Sequence, residues 1–108
     1  MSGGTCPTPV VMARDAIKGA VEIDDEMALK FADRLYDIHI KDVTGNTSKD
    51  KPTEIGRGVI DIPQFLKTLT KIKYEGVLAM EYEKDMTDPV PGLAESIGYT
   101  RGVLRMIA

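Results

Sequence analysis

The sequence has few of the residues on which several classes of protein depend. It lacks tryptophan and contains one cysteine, Cys6, so the chain can form neither an internal disulfide nor a thiolate metal cluster of its own. Its 14 basic side chains are not clustered and are outnumbered by 17 acidic ones, which disfavours binding to nucleic acid or to an anionic membrane. No apolar run approaches the roughly 20 residues of a membrane-spanning helix, and no targeting segment is visible. We therefore expect a cytoplasmic protein that binds small molecules.

The overall composition is typical of one globular domain. The chain has 108 residues, of which 43% are hydrophobic and 29% are charged. We divide it into an N-terminal lead over residues 1–23 and an α/β unit over residues 24–108. In the lead, Val10, Ile17 and Val21 make a weak helical stripe that Gly19 interrupts, which predicts a possible helix.

Helical and extended patterns alternate along the rest of the chain, and the alternation predicts an α/β fold. The predicted elements are a helix over 25–33, a strand over 35–41, a loop over 42–58, a helix beginning at Asp61, a strand over 77–83, and a last helix after a turn at 88–92. Because a helical connection joins the two strands, we expect them to be parallel.

Each predicted strand has one apolar face. On its opposite face, the residues near the C-terminal end have ionisable side chains. The predicted apolar faces hold Tyr36, Ile38 and Ile40 on the first strand and Leu78, Met80 and Tyr82 on the second. The opposite faces hold Leu35, Asp37, His39 and Lys41 on the first strand and Val77, Ala79, Glu81 and Glu83 on the second.

The ionisable strand ends are the candidate site. Ligand-binding groups of parallel α/β proteins collect at the C-terminal ends of strands, so His39 and Glu81 are expected neighbours. An imidazole and a carboxylate suit Mn²⁺, Zn²⁺, Mg²⁺ or Co²⁺, and a carboxylate can also act as a general base. Lys41 can be an anion clamp, a Schiff-base amine or a solvated charge, and Arg57 lies in a Gly-Arg-Gly segment that suits an anion or an ordinary turn. The structural alternative for the single histidine is a hydrogen-bonded group without a ligand.

Four segments taken together resemble the C-terminal part of a sugar phosphate isomerase/epimerase of the xylose isomerase-like TIM barrel superfamily. The resemblance covers roughly Asp24 to Ala108, and its order and spacing are more specific than any single piece. The segments are Arg34-Leu35-Tyr36-Asp37-Ile38-His39-Ile40-Lys41-Asp42, Gly56-Arg57-Gly58-Val59-Ile60-Asp61, Tyr74-Glu75-Gly76 and Met80-Glu81-Tyr82-Glu83.

This resemblance implies the seventh and eighth strand-helix units of a (β/α)8 barrel. It implies that His39 and Glu81 are ligands of one divalent metal, that no nucleotide cofactor is used, and that Glu81 also transfers a proton next to a carbonyl. Lys41 and Arg57 fall in segments that approach substrate oxygens. The implied substrate is a sugar, with or without phosphate, or a polyol.

The chain is too short for a whole barrel, which needs about 250 residues. The family's two earlier metal ligands, a glutamate and an aspartate, have no counterpart in the sequence. We therefore predict a partial (β/α)8 barrel that is completed by self-association as a homo-oligomer, because two strands alone leave a sheet face and its edges uncovered. Two alternatives stay open at this point, a catalytically silent barrel fragment that self-associates and a module that binds a small ligand.

Overall fold

The computed structural model describes residues 11–15, 19–45 and 47–107. The elements, in chain order, are β1 (Val11–Asp15), β2 (Gly19–Ile23), α1 (Asp25–Lys30), a 3₁₀ helix (Ala32–Arg34), β3 (Leu35–Ile40), β4 (Asp42–Val43), β5 (Pro52–Thr53), α2 (Ile62–Lys71), β6 (Val77–Met80) and α3 (Val90–Ile107). The order of strands and helices after residue 24 follows the predicted α/β alternation.

Four of the strands form one sheet in the order β2-β1-β3-β6. β3 and β6 are parallel, with Ile38 opposite Leu78 and Ile40 opposite Met80, which confirms the predicted parallel pairing. β1 runs antiparallel to both β2 and β3. The edge of β3 that faces away from β6 is therefore paired within this chain.

The predicted helix in the N-terminal lead is wrong where the structure describes that segment. Residues 11–15 and 19–23 are strands, whereas residues 1–10 and 16–18 lie outside the described part. A weak periodicity broken by Gly19 is no strong helix signal, and an open edge of β3 offers backbone hydrogen bonds that a helix would leave unused. Pairing between β1 and β3 therefore outweighs the local pattern.

The predicted faces of β3 hold from Asp37 onward but not at its start. Arg14 pairs with Asp37 while Asp15 pairs with Leu35, so the register shifts and Tyr36 has no opposite residue. This bulge reverses the alternation locally. Leu35 is buried in the core at 7% exposure and Tyr36 is exposed at 58%, the reverse of the prediction.

The core lies between the helices and one face of the sheet. α2 begins as predicted, because the Asp61 side chain accepts a hydrogen bond from the Gln64 backbone N–H at 3.0 Å and caps the helix. Its apolar stripe is buried, apart from the half-buried Ile72; the other stripe residues are Ile62, Phe65, Leu66 and Leu69. The buried apolar residues are Ala28, Phe31, Leu35, Ile38, Ile40, Ile55, Ile62, Phe65, Leu66 and Leu69.

Several predicted boundaries need correction. β6 ends at Met80 rather than at residue 83, because its partner β3 ends at Ile40. The first helix ends at Lys30, and a 3₁₀ turn follows it. The predicted loop over 42–58 contains the antiparallel ribbon β4–β5.

The last helix, α3, begins at Val90, inside the predicted turn, since Pro91 is tolerated in a first helical turn. Its buried residues are small, namely Gly92, Ser96 and Thr100. Ile97 is 38% exposed. Within the described residues, α3 and the other helices lack the combination of length and apolarity that crossing a membrane requires.

Candidate functional site

Polar side chains occupy the face of β3 that points away from the helices. Ile38 and Ile40 are fully buried on the helix side, so the alternation places Asp37 and His39 on the opposite face. His39 Nε2 lies 3.4 Å from Asp37 Oδ1, and the two side chains are 47% and 36% exposed. Asp37 is thus a neighbour of the predicted ligand, although it is not one of the predicted site residues.

The C-terminal end of β6 brings Glu81 to this same face. The Glu81 N–H donates to the Ile40 carbonyl at 2.8 Å, which continues the parallel pairing by one residue beyond the strand. His39 is opposite Ala79, and Glu81 is two residues further along the same face. Lys41 follows β3 directly, and its Nζ lies 3.6 Å from Glu81 Oε2.

We name the group Asp37, His39, Lys41 and Glu81 the strand-end cluster. Of the four residues that the sequence predicted for the site, the structure brings Lys41 and Glu81 into contact and places His39 on the same face, next to Asp37. The period-2 alternation of β3 was the signal that could have identified Asp37.

The strand-end cluster does not amount to a metal site on its own. His39 and Glu81 have suitable donor chemistry, but Glu81 contacts the Lys41 ammonium, and a cation already beside the carboxylate opposes a second one. Among the described residues, no group of three or more His, Cys, Asp or Glu side chains is arranged to hold a metal ion. The residues present therefore do not fit a complete site of the kind that the resemblance implied.

Arg57, the fourth predicted site residue, is engaged elsewhere. Its Nε and one terminal nitrogen donate to the two carboxylate oxygens of Glu95 on α3 at 2.5 and 2.6 Å. This two-pronged pair with Glu95 raises the pKa of Arg57. The guanidinium also lies 4.0 Å from Glu54 Oε1. The structure therefore directs Arg57 toward α3, and none of these contacts joins it to the strand-end cluster.

Glu54 is a buried carboxylate that is not among the predicted site residues. Lys84 Nζ lies 2.8 Å from its Oε1, which also accepts from the Thr53 hydroxyl at 3.0 Å. The Tyr82 hydroxyl donates to Oε2 at 3.4 Å. The hydrogen bond from Lys84 lowers the pKa of Glu54 to about 2, even though burial acts in the opposite direction. Nothing local signals this pairing, because Lys84 follows β6 far along the chain.

Asp42 links two of the segments on which the resemblance rests. It ends the first segment, which contains His39 and Lys41, and it binds the backbone of the second, which contains Gly56 and Gly58. Asp42 is fully buried, and its two carboxylate oxygens accept four backbone N–H groups. Oδ1 accepts from Val43 at 3.0 Å and Ile60 at 3.2 Å, and Oδ2 accepts from Gly56 and Gly58, both at 3.0 Å. These bonds compensate for the burial of the carboxylate.

The two glycines of this segment have different requirements. Gly56 has a φ of +100°, which side-chain-bearing residues rarely adopt. A Cβ on Gly58 would overlap the Asp42 carboxylate and the Val43 carbonyl. Asp42 and the two glycines thus form one structural unit that fixes the loop from Gly56 to Ile60 against the end of β3.

No curated protein matches the chain. A family model described as xylose isomerase-like TIM barrel matches residues 11–103, which is most of the chain. The chain therefore belongs to the xylose isomerase-like TIM barrel family.

Proposed function

We propose that the chain binds a small sugar or polyol at the strand-end cluster. The observation that supports this best is the contact between Lys41 and Glu81 beside His39, on the open face at the C-terminal ends of two parallel strands. An ammonium, an imidazole and a carboxylate together donate to and accept from vicinal hydroxyls and a carbonyl. Strand C-terminal ends are also where barrels of this architecture hold their ligands.

The reaction that we assign to this site is isomerisation or epimerisation, with Glu81 moving a proton at the carbon next to a carbonyl. In this proposal His39 and Glu81 are two ligands of a divalent metal, and a second copy of the chain supplies further donors. Support for a second copy comes from the incomplete donor set and from the open sheet face. Lys41 contacts a substrate oxygen in the complete site, and Arg57 does so only after leaving Glu95.

Binding can be tested by NMR with D-fructose and xylitol as probes. We expect chemical-shift changes at residues 39–41 and 77–81. The Glu81→Gln variant should lose them, because an amide replaces the charged acceptor. Glu75→Gln is the matched control, since Glu75 is exposed and lies before β6. Equal shifts in the wild type and Glu81→Gln would contradict binding at this cluster.

Turnover needs its own assay. We expect deuterium from solvent to enter a ketose at the carbon next to its carbonyl when Mn²⁺ is present, and Glu81→Gln to abolish the exchange. The second candidate function, ligand binding without turnover, is favoured by the absence of a three-donor group among the described residues. Fructose binding without deuterium exchange across a panel of ketoses would select it.

A further inference from the structure

Lys41 and Glu81 form a pair that the positions of their backbones impose. Ile40 lies opposite Met80, so the next residue of each segment leaves the sheet at the same level. Their charged atoms are 3.6 Å apart, and the two side chains are only 27% and 29% exposed. At this level of burial, water screens the attraction less than it does at a fully exposed pair.

The ammonium lies beside the carboxylate that the proposed function assigns to a metal ion. His39, the other assigned ligand, has Nε2 within 3.4 Å of Asp37 on the same strand. A divalent cation that binds Glu81 would therefore have to displace Lys41 or accept a positive charge close to it.

We infer that Lys41 is the resident counter-cation of Glu81 and that it controls the access of a metal ion to the strand-end cluster. The inference rests on the proposed function for the location of the ligand site, and it assigns Lys41 a role opposed to metal binding in the single chain. Removing the ammonium leaves the Glu81 carboxylate without its cation. Mn²⁺ can then take that position.

The test is a titration with Mn²⁺ alone, followed by paramagnetic broadening of the backbone amide signals of Ala79 and Glu81. Paramagnetic broadening also detects weak binding, so an incomplete donor set does not hide the effect. We expect Lys41→Met to reach half-maximal broadening at a Mn²⁺ concentration at least about tenfold lower than the wild type. Lys49→Met is the matched control, because it removes one exposed lysine from a loop and should leave the wild-type response unchanged.

A double variant, Lys41→Met with Glu81→Gln, shows whether the gain belongs to this pair. We expect it to return to the wild-type concentration or above it. The inference is overturned if Lys41→Met and the wild type respond alike, if Lys41→Met shows no broadening at these amides, or if the gain persists in the double variant. Failure of the proposed function is a separate result, because fructose and xylitol binding by the wild type is measured without metal.

Discussion

At the residue scale, the buried carboxylates and their donors explain most of the local structure around the site. Asp42 accepts four N–H groups, and Glu54 accepts from Lys84, Thr53 and Tyr82. The sequence shows that such residues occur at strand ends, but it does not show which donors they meet. That depends on how the loop after β5 folds back onto the end of β3.

The contact between Gly58 and Asp42 leads to the first prediction. Gly58→Ala would place a methyl group against the Asp42 carboxylate and the Val43 carbonyl, so we expect the free energy of unfolding to fall by about 1–3 kcal/mol. Urea denaturation measures it. Gly98→Ala is the control: a Cβ there meets nothing within 4 Å, and alanine at this helical position should stabilise the protein by up to about 1 kcal/mol. Equal losses in both variants would contradict the assigned contact.

Glu54 leads to a prediction about acid stability. Its pKa is lowered from the ordinary 4.5 to about 2, so its stabilisation is fully present above pH 4.5 and is lost as the pH falls toward 2. We expect Glu54→Gln to lower the free energy of unfolding at pH 6 by about 1–3 kcal/mol, and the difference from wild type to shrink as acid is added. Urea denaturation at several pH values checks this.

The exposed neighbour Glu83 provides the control for this pH series. Glu83→Gln should remain within about 0.5 kcal/mol of the wild type at neutral pH, because it removes an exposed charge. A gap between Glu54→Gln and the wild type that stays constant from pH 6 to pH 2 would count against the ionised Glu54–Lys84 pair.

At the scale of elements, local patterns were sufficient where one segment contains its own signals. α2 has its cap, its proline and its apolar stripe within about a dozen residues, and the predicted start at Asp61 is confirmed. β1 and β2 could not be recognised in the same way, since their pairing partners are each other and β3. The reversed faces of Leu35 and Tyr36 come from a bulge against β1, which is likewise a property of two strands rather than one.

The cap of α2 gives a prediction at this scale. Asp61→Ala should lower the free energy of unfolding by about 1 kcal/mol, because the Gln64 N–H loses its acceptor at the start of the helix. Asp61→Ser retains a capping oxygen and should recover most of that loss. Urea denaturation of the two variants separates capping from a general effect of the substitution. A serine variant as unstable as the alanine variant would argue against the cap.

At the scale of the whole molecule, the four-stranded sheet has two edge strands, β2 and β6, each of which pairs with only one other described strand. Val77 on β6 is 64% exposed. The sequence predicted an uncovered sheet that self-association completes. The pairing of β1 with β3 covers one edge of β3 within this chain. We expect a second copy at β6, the edge strand that leads into Glu81.

Self-association through β6 is the prediction at this scale. We expect sedimentation equilibrium at tens of micromolar to give a mass above that of one chain, and Val77→Lys to shift it toward the single-chain mass, since a lysine on an edge strand opposes pairing with a neighbour. Val90→Lys is the matched control, because Val90 is 67% exposed but lies on α3. A single-chain mass for the wild type throughout this range would refute the prediction.

The parallel pairing of β3 with β6 also determines the order in which this chain can fold. Ile38 meets Leu78 only after about 40 intervening residues have been brought into a closed loop, and that entropy must be lost before the strands gain their hydrogen bonds. α2 lies inside this loop, and a helix of 10 residues is marginal on its own, so we expect it to become stable together with the strands and helices against which it packs. The strand ends that carry His39 and Glu81 meet late, when the two strands align.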